Sequence, residues 1–155
     1  MRWLAFPLLV LLAVFALIWL FAGQDDSPGR TSLFEVTDVA EGKTLYATNC
    51  AVCHGANLEG QENWRTPGED GRLLAPPHDE SGHTWHHGDK LLFDYTKLGG
   101  KALMAQQGVE FDSGMPGFGD QLTDAEIRNV LAYIKSTWPE RVQAVQAERI
   151  AAETQ

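Results

Sequence analysis

The stretch Asn49 to Gly55, NCAVCHG, holds both cysteines of the chain, with His54 directly after the second. Three kinds of chemistry suit two thiols and an imidazole placed in this way. A Cys-x-x-Cys redox disulfide expects a strand before the motif and a βαβ context, whereas the residues leading into Cys50 have helical spacing. A zinc site needs four ligands, commonly with a second Cys or His pair, and His83, His86 and His87 could supply one. The third chemistry uses every residue of the motif. Cys-x-x-Cys-His is the attachment sequence for c-type haem, in which both sulfurs add to the porphyrin vinyl groups and the histidine binds iron. Two thioether bonds to one planar ring fix the segment and hold the following residue beneath the metal. The cofactor then stays on the chain when iron changes oxidation state. On this reading Cys50 and Cys53 carry one covalent haem c and His54 is an axial ligand.

Iron needs a sixth partner or an open place for a ligand, and the chain has three methionines. Met1 lies on the wrong side of a long apolar run, and Met104, in KALMAQQ, reads as a helix-packing residue. Met115 lies between Gly114 and Pro116 in an extended loop, where a flexible thioether can be aimed inward and small neighbours leave room for a ring. Met115 is therefore the expected second axial ligand. A thioether favours ferrous iron and raises the potential relative to a second imidazole. It also fills the last coordination position, which points to a carrier of single electrons rather than an enzyme. Two alternatives stand beside this one: a five-coordinate haem enzyme or gas sensor in which Met115 stays off the iron, and a metal-binding module built on His83, His86 and His87.

The elements that must position these residues are helical. Asp38 to Asn49 has small Gly42 and Ala47 on one face and Leu45 and Tyr46 among its apolar positions, with Asp38 as N-cap. Gly60 to Ser81 is rich in glycine, proline and charge and reads as loop. His87 to Leu98 has helical spacing at Leu91, Leu92, Tyr95 and Leu98, stopped by Gly99-Gly100. Gly108 to Gln121 carries too many breakers for a regular element. Thr123-Asp124-Ala125-Glu126 is a capping box, and Ile127, Val130, Leu131, Ile134 and Trp138 follow at steps of three and four. No strand signal and no internal repeat is visible. The predicted fold is all-α, a small domain of about three to five helices whose thin aliphatic core is completed by the haem. Residues 37–139 form that domain, and 140–155 a charged tail that is helical or frayed.

Trp3 to Ala22 is an unbroken apolar run, long enough as a helix of about 30 Å to cross a bilayer's hydrocarbon core. Residues 1–23 therefore read as a transmembrane anchor, with an uncleaved or cleaved signal as the rival, and 24–36 as a polar tether. Arg2 precedes the run and the next basic residue is Arg30, so the N-terminus is expected in the cytoplasm and the haem domain outside. The chain has 12 basic and 21 acidic residues, a formal net charge of −9, which excludes nucleic acid as a partner.

The chain resembles the class I monohaem cytochromes c, in their membrane-anchored bacterial form. The resemblance runs from about Val39 to Trp138 and is carried by Glu41-Gly42-Lys43-x-Leu45-Tyr46, Cys50-x-x-Cys53-His54-Gly55, Ala75-Pro76-Pro77, Gly114-Met115-Pro116 and Leu122 to Ile127 followed by Ala132-Tyr133-Ile134-Lys135. It implies that the helix of Gly42 and Tyr46 crosses the helix of Val130 and Tyr133. It implies too that the Pro76 carbonyl accepts the Nδ1–H of His54, which then binds iron through Nε2. The implied partners are a terminal oxidase, a respiratory complex, a periplasmic dehydrogenase or a copper protein. Two features depart from the better-known members. The domain is acidic, so a basic or apolar docking face on the partner is expected. Ser81 to His87, SGHTWHH, is either a copper or zinc site on His83 and His87 or a surface loop. In the second reading, which is preferred, Trp85 packs over the haem edge and a histidine or Trp85 bonds a propionate. His78, after Pro77, reads as an exposed loop residue.

Overall fold

The computed structural model of the chain describes residues 37–153. The expected anchor and tether, at 1–36, lie outside these residues. None of the described helices is long and apolar enough to cross a membrane.

Helix α1, Val39–Asn49, starts at Asp38, whose carboxylate accepts the amides of Ala40 and Glu41, each at 2.9 Å. These bonds satisfy two of the donors that a helix start leaves open. A single turn, α2 (Ala51–His54), follows. A 3₁₀ turn at Thr84–His86 leads into α3, Asp89–Leu98, and α4, Gly100–Gln106. Helix α5 is Asp124–Ser136 and α6 is Glu140–Glu153. The expected capping box opens α5: Thr123 N–H donates to Glu126 at 2.7 Å, and Glu126 N–H donates back to Thr123 Oγ1 at 3.3 Å. No strand forms among the described residues, where the one β-bridge pairs Pro67 with Leu73.

The fold is organised by the crossing of α1 and α5. A carbon added at Gly42 would lie 1.9 Å from the Asn129 carbonyl oxygen and 3.1 Å from Tyr133 Cβ. Only a residue without a side chain permits that approach. Asn129, buried on α5, ties the two helices with both ends of its amide: Oδ1 accepts Asp38 N–H at 2.8 Å, and Nδ2 donates to Glu41 at 2.7 Å. Tyr46 comes next along α1, its ring centroid 5.5 Å from that of Tyr133. The apolar stride of α5, Ile127, Val130, Leu131 and Ile134, packs with Tyr46, Leu58, Phe118, Leu122, Trp138 and Val142 as one core. Burying each such aliphatic side chain contributes about 1.5–3 kcal/mol.

The tail is helical over Glu140–Glu153. It buries Val142 and Gln146, each 2% exposed. Gln146 Nε2 donates to Asp89 Oδ1 at 2.9 Å and to the His87 carbonyl at 3.2 Å, and Lys135 Nζ reaches the same Asp89 oxygen at 2.7 Å. A buried carboxylate thereby joins α3, α5 and α6.

Candidate functional site

Cys50 ends α1 and starts the turn that carries the rest of the motif: its N–H donates to the Tyr46 carbonyl, and its own carbonyl accepts His54 N–H, both at 2.9 Å. Positions three apart on such a turn face the same side, so Cys50 and Cys53 present their sulfurs together. Both are free thiols. Burial, and next the neighbouring Cys53, pushes the Cys50 thiol up to about 11, so at neutral pH it is an S–H group. Gly55 closes the turn at φ 81°, a conformation that favours glycine. The Tyr46 hydroxyl donates to the Gly55 carbonyl at 2.9 Å, linking the helix crossing to the motif.

His54 is buried, 6% exposed. Its Nδ1 lies 2.8 Å from the Pro76 carbonyl oxygen. A carbonyl can only accept, so Nδ1 carries the proton and Nε2 keeps its lone pair. Burial lowers the pKa of the imidazole, and the bond to Pro76 opposes this in part. A neutral imidazole with a defined tautomer is a competent iron ligand. Pro76 is held in place by its surroundings. Gly60 donates to the His54 carbonyl at 2.8 Å, Gln61 to the Ala75 carbonyl at 2.9 Å, and Ala75 to Gln61 Oε1 at 2.8 Å. A carbon on Gly60 would meet Pro77 N at 2.4 Å, so the two loop segments touch through glycine.

Met115 is half-buried and packs against the same core as Cys50, Ala51 and Trp85. Its loop is laid along the junction of α3 and α4 by main-chain bonds: Phe118 N–H to Thr96 O at 3.0 Å, Gly119 N–H to Lys97 O at 2.9 Å, and Gly100 N–H to Met115 O at 3.4 Å. A carbon on Gly117 would lie 2.6 Å from the Leu98 carbonyl oxygen. Met115 lines an open cleft of about 400 Å³ with Arg72, Leu98, Ser113 and Pro116. Met104 sits on α4, also half-buried.

Around SGHTWHH, the Trp85 indole stacks on His86 at 3.7 Å and its N–H donates to the Glu80 carbonyl at 3.3 Å. His83 stacks on Trp64 at 5.4 Å and meets His87 edge-on at the same centroid distance. Burial lowers the pKa of both His83 and His87. No group of three or more His, Cys, Asp or Glu among the described residues is placed to hold a metal ion.

His78 departs from expectation. It is not an exposed loop residue: its ring stacks on His54 at 4.0 Å with planes 22° apart, and its Nδ1 lies 2.8 Å from Thr84 Oγ1. Burial, with His54 and then His83 beside it, lowers its pKa well below the ordinary histidine range. The reason is the path of the loop, which His78 N–H fastens to the Leu58 carbonyl at 2.8 Å.

Paired free thiols on one turn and a neutral imidazole oriented from its far nitrogen fit haem c. The comparisons agree. The cytochrome c family model matches residues 39–138. The chain is 36% identical over 127 residues to the Cbb3-type cytochrome c oxidase subunit CcoP of Azospirillum sp. (strain B510), covering 72% of this chain and 38% of that protein. It is 28% identical over 120 residues to the gluconate 2-dehydrogenase cytochrome c subunit of Pantoea cypripedii, 74% of this chain and 24% of that one. Cytochrome c6 of Picosynechococcus sp. (strain ATCC 27264 / PCC 7002 / PR-6) is 31% identical over 100 residues, 63% and 71% of the two chains. The chain thus spans well under half the length of the oxidase and dehydrogenase subunits it matches. No solved structure matches it. The chain belongs to the cytochrome c family, of the class I type, and its cofactor is covalently bound haem c.

Proposed function

We propose that this protein is a carrier of single electrons, with Cys50 and Cys53 attaching the haem and His54 and Met115 as its axial ligands. When bound, the haem supplies the one-electron couple. The polypeptide performs no bond chemistry after attachment. Its residues hold the ring, keep the His54 proton on Nδ1 against Pro76, and bring a thioether to the second axial position. The observation that carries this reading is the 2.8 Å contact of His54 Nδ1 with the Pro76 carbonyl, because it leaves the other nitrogen of a buried imidazole with a lone pair that a metal can take. The anchored loop supports Met115 in the same role, and Trp85, packed on the shared core, would lie at the edge of the bound haem.

The partners we propose are membrane respiratory complexes, a terminal oxidase or a periplasmic dehydrogenase; the names of the oxidase and dehydrogenase subunits above support that range. With a net charge of −9, the chain suits a partner whose docking face is basic or apolar. Residues 1–23 would anchor it to the cytoplasmic membrane with the haem domain on the outer face. A pyridine haemochrome spectrum of the membrane fraction tests attachment and location together, and a haem signal found only in the soluble fraction would remove the anchor. The ferric protein should show the near-infrared charge-transfer band of iron bound to methionine sulfur. Its absence, with rapid binding of CO to the ferrous form, would favour a five-coordinate enzyme or sensor instead.

A further inference from the structure

A single hydrogen bond to Nδ1 fixes one axis of the His54 imidazole and leaves the ring able to rock about it. A flat partner against its face removes that freedom, and His78 provides one, 4.0 Å away and within 22° of parallel. His78 is itself held from several directions. Its main-chain N–H donates to the Leu58 carbonyl at 2.8 Å and its carbonyl accepts the Trp138 indole N–H at 2.7 Å. Its Nδ1 is 2.8 Å from Thr84 Oγ1, a hydroxyl that also reaches the Pro77 carbonyl at 3.5 Å, and its ring meets Tyr46 edge-on at 6.4 Å. A ring fixed at both main-chain atoms and at one side-chain nitrogen is a rigid wall rather than a loose filler. Thr84 is buried, so the support lies in the core and not on the surface.

We propose that His78 is a positioning residue for His54, setting the plane of the ligand imidazole about its bond to iron. The inference rests on His54 being an axial ligand, and it deepens that reading by naming what orients it. The plane of an axial imidazole selects which iron d orbital it overlaps, so it governs the anisotropy of the ferric ion and contributes to the potential. His78 touches the ligand and not the metal, and it should act only through the angle of the His54 ring.

The test uses the matured holoprotein with His78→Leu, His78→Phe and Thr84→Val, read by ferric electron paramagnetic resonance, proton NMR of the haem methyls, and redox titration. In His78→Leu the ferric signal should broaden into a distribution of g values. The spread of haem-methyl shifts should contract as ring orientations average, and the midpoint potential should move, while the charge-transfer band to methionine sulfur is retained. In His78→Phe, which restores a flat face, the wild-type spectra should largely return. Thr84→Val should show a smaller change in the same sense as His78→Leu, and it carries the test where the leucine variant fails to mature. Superimposable spectra and potential in the leucine and valine variants overturn the proposal, as does an equal change in the leucine and phenylalanine variants. Loss of the sulfur band in wild type would count against Met115 alone, because the ring-orientation readout depends on His54.

Discussion

The two sides of this domain are positioned by different means. Where α1 crosses α5, the contact is made by the absence of a side chain at Gly42, the amide of Asn129 and the rings of Tyr46 and Tyr133. Around His54 and Met115 the chain is held by main-chain hydrogen bonds between loops and helix ends, with glycine at the points of contact. The first side is held by contacts of the chain with itself. The second is a frame of fixed backbone around groups whose chemistry calls for a guest. A small domain with a thin core gains much of its stability from such a guest.

The sharpest way to break this comparison is to remove the guest. Cys50→Ala with Cys53→Ala should leave an apo chain without a cooperative thermal transition by circular dichroism, a loss comparable to the whole stability of a domain, roughly 5–15 kcal/mol. In the holoprotein, amide exchange should show the α1–α5 crossing as the last protection to go; a stable, cooperatively melting apo-domain would erase the distinction between the two sides. On the self-sufficient side, Gly42→Val drives a carbon to within 1.9 Å of the Asn129 carbonyl. It should lower the stability of the holoprotein by on the order of 3 kcal/mol or more, measured by denaturant titration. Asp89→Ala removes the oxygen that Lys135 and Gln146 share. It should cost about 2–4 kcal/mol, less than a fully sequestered pair because Lys135 is partly exposed. Asp89→Asn, which keeps an acceptor, should cost less.

The smallest effect is at the start of α5. Thr123→Ala should cost about 1 kcal/mol. Its pH dependence has a defined sign: the Thr123 main-chain and hydroxyl bonds hold the Glu126 carboxylate below its ordinary value of 4.5. A depressed folded-state pKa contributes stability that is present above about pH 4.5 and lost as pH falls through the folded value. Denaturation curves of wild type and Glu126→Gln should therefore differ at neutral pH and converge in acid. Parallel curves at all pH values would remove Glu126 from the account.

Much of the helical side was legible in the sequence because it is written in local rules. The cap at Asp38, the Thr123–Glu126 box and the three-and-four stride from Ile127 each depend on neighbours within a turn. Gly42 was legible through family resemblance rather than through pattern, since hydropathy does not register a missing side chain. The haem motif is contiguous and equally plain. What escaped depends on residues far apart in the chain. The tail has a thin apolar stripe because part of what it buries is the polar amide of Gln146, whose partners at His87 and Asp89 no hydropathy pattern reveals. His78 looked exposed because its neighbours, His54, Thr84 and Trp138, come from three other segments. Trp85 and His86 form a stacked pair whose orientation the run SGHTWHH does not encode.

The Tyr46 hydroxyl, donating to the Gly55 carbonyl, spans the boundary between these two sides. A phenol fastened at one end within the helix pair and at the other to the turn bearing His54 makes them give way together. Heated in the ferric state, the holoprotein should lose ellipticity and shift its Soret colour at the same temperature, so that a spectrophotometer alone follows its folding.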